Sequence, residues 1–299
     1  VNPVIALVGP TAAGKSALAI HLCESLGGEV VSIDSMAVYQ GMDIGTAKPT
    51  RAERGSVPHH MIDVWPIDHA VTVAEFQQVA RAAIADIRRR GRTAVLVGGS
   101  GLYMSAVLDD LQFPGTDPVI RERWETALER DGSPALHAVL AEADPAAAIA
   151  IHPTNGRRIV RALEVIDMTG QPFTATLPRE NSMIASDRIG IDMPRDMMDT
   201  RIAERVDAMW LDGFVEEVRA LNEQGLAECR TAARALGYQQ VLEFLAGRCS
   251  EQEAKIATIE ATRKFARRQV RWFRRDQRVN WLPFPVTASD VMAACGTPT

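Results

Sequence analysis

The chain has 299 residues, 46% hydrophobic and 24% charged, with a net charge of −5 from 33 Lys plus Arg against 38 Asp plus Glu. This is a globular composition with chain enough for one large or two modest domains, and it excludes a protein built to coat nucleic acid along its length. Cys23, Cys229, Cys249 and Cys295 are scattered without a C-x-x-C pair, no apolar run reaches a membrane span and no signal sequence precedes the first strand pattern; the expectation is a cytoplasmic protein with neither disulfide framework nor structural metal.

Val4-Ile5-Ala6-Leu7-Val8 reads as a buried strand closing on Gly9-Pro10-Thr11-Ala12-Ala13-Gly14-Lys15-Ser16, a G-x-x-x-x-G-K-[ST] octapeptide. The glycines let backbone N–H groups converge on anionic oxygens, and the helix that follows adds its positive end. Lys15 supplies a mobile cation, and Ser16 a hydroxyl where a Mg²⁺ shared with phosphates would sit. A polyphosphate is expected here.

A helix from Lys15 to Leu26 should end at Gly27-Gly28, and Glu29 to Ile33 reads as a second strand running into Asp34-Ser35. The carboxyl ends of strands in an open α/β sheet face the ligand crevice, which aims Asp34 at the loop's ligand; a turn or cap Asp is the alternative. Met36 to Pro49 is a longer loop than a strand-to-helix connection needs. His59-His60 falls on a short strand and reads as structural, since neighbours there face opposite ways.

Thr72-Val73-Ala74-Glu75 is a capping box opening a helix closed by Arg88-Arg89-Arg90-Gly91. Thr93 to Val97 is a third strand, ending in Gly98-Gly99-Ser100-Gly101 where a nucleotide hydrolase would place an acid. Asp117-Pro118, Ser133-Pro134 and Asp144-Pro145 then start successive helices, and Gly156 to Met168 continues them, so residues 114–187 form an all-helical insertion between core segments 1–113 and 188–299. Arg157, Arg158 and Arg161 cluster within it, as phosphate contacts or as a solvated face.

Arg188 to Met193 restores the strand pattern, with helices around Arg201 to Leu211 and Phe214 to Leu221. Ser250-Glu251-Gln252-Glu253 caps a long basic helix ending near Asp276, in which Arg263, Arg267, Arg271, Arg274 and Arg278 are spaced as one face and Phe265, Trp272 and Phe273 pack. Val279 to Leu282 is a last strand, and the tail beyond it is expected to be loose. The fold class is thus α/β, a P-loop NTPase-like parallel sheet flanked by helices, with kinase-like group transfer as its chemistry.

The motifs Gly9–Ser16, Asp34–Tyr39, Gly41–Pro49, Gly98–Tyr103, Arg158–Val165 and Gly237-Tyr238 together resemble those of the bacterial tRNA dimethylallyltransferases, over nearly the whole chain. The resemblance implies transfer of a dimethylallyl group from dimethylallyl pyrophosphate to the N6 amine of the adenosine 3′ of the anticodon, by a monomer using Mg²⁺. It implies that Asp34 accepts the amine proton, that Thr11 and Arg234 assist at the pyrophosphate, and that Ser35, Met36, Ala37, Ser100, Arg123 and the Arg157-Arg158-Ile159-Val160-Arg161 segment meet tRNA; Arg121 stands two residues from Arg123. Ala37 departs from the family's common Gln, Ala13 from Ser and Ser16 from Thr. A small-molecule kinase, a prenyltransferase of free adenine nucleotides and a non-catalytic RNA-bound nucleotide switch are the rivals, and none explains both Asp34 and the basic insertion.

Overall fold

The computed structural model describes residues 4–173 and 182–296. Its centre is a six-stranded sheet in the order β3-β2-β4-β1-β5-β6, every neighbouring pair parallel. The strands are β1 (Val4–Val8), β2 (Glu29–Ser32), β3 (His59–His60), β4 (Ala94–Gly98), β5 (Ser186–Asp192) and β6 (Val279–Pro283). Both faces are covered, so β1 is buried end to end: Val4, Ala6 and Val8 enter one apolar cluster, Ile5 and Leu7 the other.

The helices before the insertion are α1 (Lys15–Leu26), α2 (Arg51–Arg54), α3 (Val73–Arg89) and α4 (Gly101–Leu108). Gly27 ends α1 in the left-handed conformation, and the Thr72–Glu75 capping box starts α3, both as the sequence indicates. The chain divides into two compact units, Val1–Leu108 with Ile184–Thr299, and Asp109–Met183. The second begins earlier than residue 114 because Asp109 bridges to Ser182, and it ends before 187 because β5 takes up the chain from Ser186.

That second unit holds α5 (Pro118–Ala143), α6 (Pro145–Ala150) and α7 (Gly156–Thr169) around its own core of Leu136, Leu140, Ile159, Val160 and Leu163. Asp117 and Asp144 cap with their carboxylates ahead of N1 prolines, and α5 breaks at Gly132, where Ser133-Pro134 restarts it. After β5 come α8 (Arg195–Leu211), α9 (Phe214–Glu223), α10 (Tyr238–Leu245), α11 (Glu251–Phe273) and α12 (Ala288–Ala294). The last corrects the expectation of a loose tail: Thr287 and Asp290 form a capping box, and Val291 is buried against the core. Helix α11 stops at Phe273, short of Asp276. Among the described residues no helix is long and apolar enough to cross a membrane.

Candidate active site

At the carboxyl ends of β1, β2 and β4 lies a cleft of about 770 Å³. Thr11 to Ser16 line one side, with Asp34 and Ala37 after β2 and Gly98 and Gly99 at the end of β4. Gly9 and Pro10 are buried behind the loop. The loop is closed on itself, for the Lys15 ammonium donates to the carbonyls of Gly9, at 3.0 Å, and Pro10. Burial, reinforced by Arg205 and opposed by Asp34, pushes the Lys15 ammonium down to about 7.

Two arginines of α8 complete the cationic side. Arg201 donates to the Ala12 carbonyl at 2.9 Å and Arg205 to the Thr11 hydroxyl at 3.2 Å. Ala12 has φ 64°, a left-handed conformation costing roughly 1–2 kcal/mol for a residue with a Cβ, and the Arg201 contact helps hold it there. Arg205 is lowered from its ordinary value first by burial and then by Arg201. The site therefore concentrates positive charge against desolvation, an arrangement that an anion relieves.

Asp34 turns its carboxylate back to accept the Met36 N–H at 2.8 Å while remaining part of the cleft wall. The turn and cleft-facing readings of this residue thus hold together. The loop beyond is fastened at two points. Lys48 is buried and donates to the Tyr39 carbonyl at 2.6 Å and to the carboxylates of Asp43 and Asp63. Glu217 of α9 accepts the N–H groups of Asp43, Ile44 and Gly45 at 3.0, 2.7 and 3.2 Å and the Tyr238 hydroxyl at 2.6 Å.

The glycines closing β4 have a packing cause. An added Cβ on Gly99 would stand 2.1 Å from Gln269 Nε2, and one on Gly101 2.0 Å from the Trp272 indole. Helix α11 thus seats directly on the strand end.

The IPP transferase family model matches residues 37–276. The chain belongs to the IPP transferase family. It is 58% identical to the tRNA dimethylallyltransferase of Salinispora tropica over 93% of this chain and 88% of that one. Among solved structures it resembles the full-length tRNA isopentenylpyrophosphate transferase of Bacillus halodurans, at TM-score 0.72 and 39% identity over 98% of this chain and 94% of that one. It also resembles a eukaryotic dimethylallyltransferase acting on tRNA, at TM-score 0.81 and 25% identity over 95% and 74%.

In this IPP transferase the other expected residues separate. Ser35 and Met36 are half-buried in the turn after Asp34, and Ser100 precedes α4; none of the three lines the cleft. Arg234 is exposed on a single 3₁₀ turn, Ala232–Arg234, outside the lining; Arg201 and Arg205 stand at the loop where it was expected. Within the insertion, Arg157 and Arg158 are exposed, and neither has an acidic partner among the described residues. Ile159 and Val160 are a correction, since both are buried in the insertion's core and offer no side chain to a partner. Arg161 is committed internally, donating to the carbonyls of Pro114 at 2.6 Å and Gly115 at 3.1 Å and to Glu164. Arg123 pairs with Asp167 and lies 5.1 Å from the centre of the Trp124 ring, while Arg121 binds Glu125 and Glu164. His60 pairs with Glu29 at 2.7 Å, whereas His59 lines the cleft.

Sequence reasoning missed Arg201, Arg205, Gln269 and Glu217. The first pair sits at i, i+4 on α8, on one helix face, which was the signal available.

Proposed function

We propose that this IPP transferase moves a dimethylallyl group from dimethylallyl pyrophosphate to the N6 amine of the adenosine 3′-adjacent to the anticodon in tRNA, releasing pyrophosphate. The observation that carries this reading is one cleft holding a phosphate loop, two arginines and Asp34, with glycines where a hydrolase would keep an acid. The loop grips the group that leaves. As the carbon–oxygen bond breaks, charge grows on pyrophosphate, and the loop N–H groups, Lys15, Arg201 and Arg205 stabilise it. The N6 nitrogen bonds to the allylic carbon, and Asp34 takes the proton it sheds.

Ser16 offers a hard oxygen donor to the cleft, while no group of three or more His, Cys, Asp or Glu gathers among the described residues. That donor set suits a Mg²⁺ that keeps most of its ligands from water and pyrophosphate, and such an ion would supply further neutralisation of the leaving group. The adenosine must leave its stack to reach the cleft, at a few kcal/mol, which phosphate contacts from exposed arginines such as Arg157 and Arg158 offset.

Incubation with labelled dimethylallyl pyrophosphate and, separately, tRNA, AMP and ATP tests the reading. Label should pass to tRNA alone; transfer to AMP would establish the free-nucleotide prenyltransferase instead.

A further inference from the structure

The phosphate loop is a partition with a chamber on each side. One chamber is the cleft at the ends of β1, β2 and β4. The other is a groove of about 270 Å³ at the ends of β5 and β6, lined by Leu18 of α1, Ile191 and residues 284–288, which lead from β6 into α12. Ala13, Gly14, Ala17 and His21 line both. The two spaces therefore meet at the loop itself, and a ligand held there can extend into either.

The groove differs from the cleft in kind. Its lining contains no Lys, Arg, Asp or Glu among the described residues. Leu18 and Ile191 belong to the buried apolar cluster shared by α1 and the sheet, and Phe284, Val286 and Ala288 pack against that cluster. Of the two polar side chains, Thr287 is committed to the α12 capping box, donating its hydroxyl to Asp290 at 2.7 Å and accepting the Asp290 N–H at 3.2 Å. His21 is exposed. Arg201 marks the junction, for it lines the cleft, holds the Ala12 carbonyl and lies 5.7 Å from the centre of the Phe284 ring. An anionic head at Arg201 thus stands beside an apolar space that the transfer reaction does not use, because Asp34 lies in the cleft and not in the groove.

We propose that the groove holds the hydrocarbon tail of prenyl pyrophosphates longer than the five-carbon donor, with their pyrophosphate in the loop, and that such ligands bind as unreactive competitors. The proposal rests on the reading of the loop as a prenyl pyrophosphate site. The groove is smaller than the roughly 300–1,000 Å³ that holds a whole ligand, which suits the extension of a ligand anchored elsewhere. A prenyl tail asks only for apolar surface, whereas a nucleobase would leave its ring nitrogens and amine against hydrocarbon. For transfer, the allylic carbon must stay in the cleft before Asp34. A tail threaded into the groove carries that carbon away, so no bond to the amine forms. Successive condensation of five-carbon units, the reaction class that draws on the same donor, supplies these ligands, and their accumulation would slow transfer to tRNA.

The test is competition against dimethylallyl pyrophosphate by farnesyl pyrophosphate, inorganic pyrophosphate and ATP. It is run on the wild type, on Ala288→Trp, which fills the groove, and on Val286→Asp, which charges it. Farnesyl pyrophosphate should compete at least about tenfold more tightly than inorganic pyrophosphate, through the apolar area that it alone buries, and its prenyl group should not pass to tRNA. Both variants should lose most of that advantage while keeping wild-type affinity for inorganic pyrophosphate and the wild-type rate of dimethylallyl transfer. Because the advantage is a ratio within each variant, a loosened loop cancels from it. No advantage in the wild type, an advantage kept in both variants, or farnesyl transfer to tRNA overturns the assignment and leaves the dimethylallyl reading standing. An ATP affinity that falls in the variants, with no farnesyl advantage in the wild type, gives the groove to a nucleobase instead. A wild type that binds inorganic pyrophosphate but not dimethylallyl pyrophosphate overturns both readings.

Discussion

The side-chain oxygen of Gln269 accepts the backbone N–H of Thr11 at 2.8 Å, joining α11 to the phosphate loop across 258 residues of chain. The same amide crowds Gly99, so loop, strand end and helix are one rigid corner of the cleft.

Gln269→Ala should therefore destabilise the fold by about 1–3 kcal/mol through the unmet Thr11 N–H, and weaken dimethylallyl pyrophosphate binding. Gln269→Glu keeps an acceptor but sets a negative charge beside the leaving group. It should retain more stability and lose more affinity, as read by thermal unfolding and calorimetric titration. Equal affinity in the two variants would show that the contact matters only as a strut.

Lys15 gives a pH signature. In the empty loop it is pushed down to about 7, and an arriving pyrophosphate favours its charged form, so the bound state titrates higher. Binding then takes up a proton above pH 7, and affinity should fall as pH rises, by up to about tenfold per unit. Below that range Lys15 is already charged and adds no slope. Lys15→Met should flatten the profile, whereas a wild-type affinity that increases with pH would reverse the assignment.

Asp34→Asn preserves the acceptor to Met36 N–H but cannot take a proton from the amine. Single-turnover transfer should slow by about two to four orders of magnitude with little change in binding. A near-normal rate would reduce Asp34 to a turn residue.

Arg158 and Arg161 should behave differently despite their spacing. Arg158→Ala removes an exposed, unpaired charge and should lower the magnitude of the tRNA salt slope by just under about one unit. Arg161→Ala frees the Pro114 and Gly115 carbonyls and should instead lower the melting temperature of the insertion. Identical salt slopes for wild type and Arg158→Ala would remove that residue from the interface.

Glu217→Ala strands three backbone N–H groups and the Tyr238 hydroxyl. A loss of about 2–4 kcal/mol in denaturant unfolding is expected, together with loosening of the Asp43–Gly45 loop that forms part of the cleft. Glu217→Gln, which keeps acceptor capacity, should recover part of it.

The legible parts of the chain were those governed by neighbours in sequence. The phosphate loop, the Thr72 and Ser250 capping boxes and the N1 prolines each declare themselves within a few residues. The roles of Arg201 and Arg205 depend on atoms 189 and 194 positions away, and nothing local separates them from solvated helix arginines. The five arginines spaced as one α11 face could not be told apart for the same reason: Asp199, Asp192 and Asp276, which pair with Arg263, Arg267, Arg274 and Arg278 and leave Arg271 without an acidic partner among the described residues, belong to α8, the end of β5 and the turn after α11. The Thr287–Asp290 box is equally local, so α12 too is legible from its neighbours in sequence.

Leu108 and Ile184 are bonded to each other through the Leu108 carbonyl and the Ile184 N–H at 3.0 Å, so the intervening segment leaves and rejoins the core at a single point. Every residue lining the cleft lies outside that segment. The inserted helices, with a hydrophobic centre of their own, are in that sense a cassette: a short turn closing Leu108 onto Ile184 would excise them without cutting a strand of the sheet.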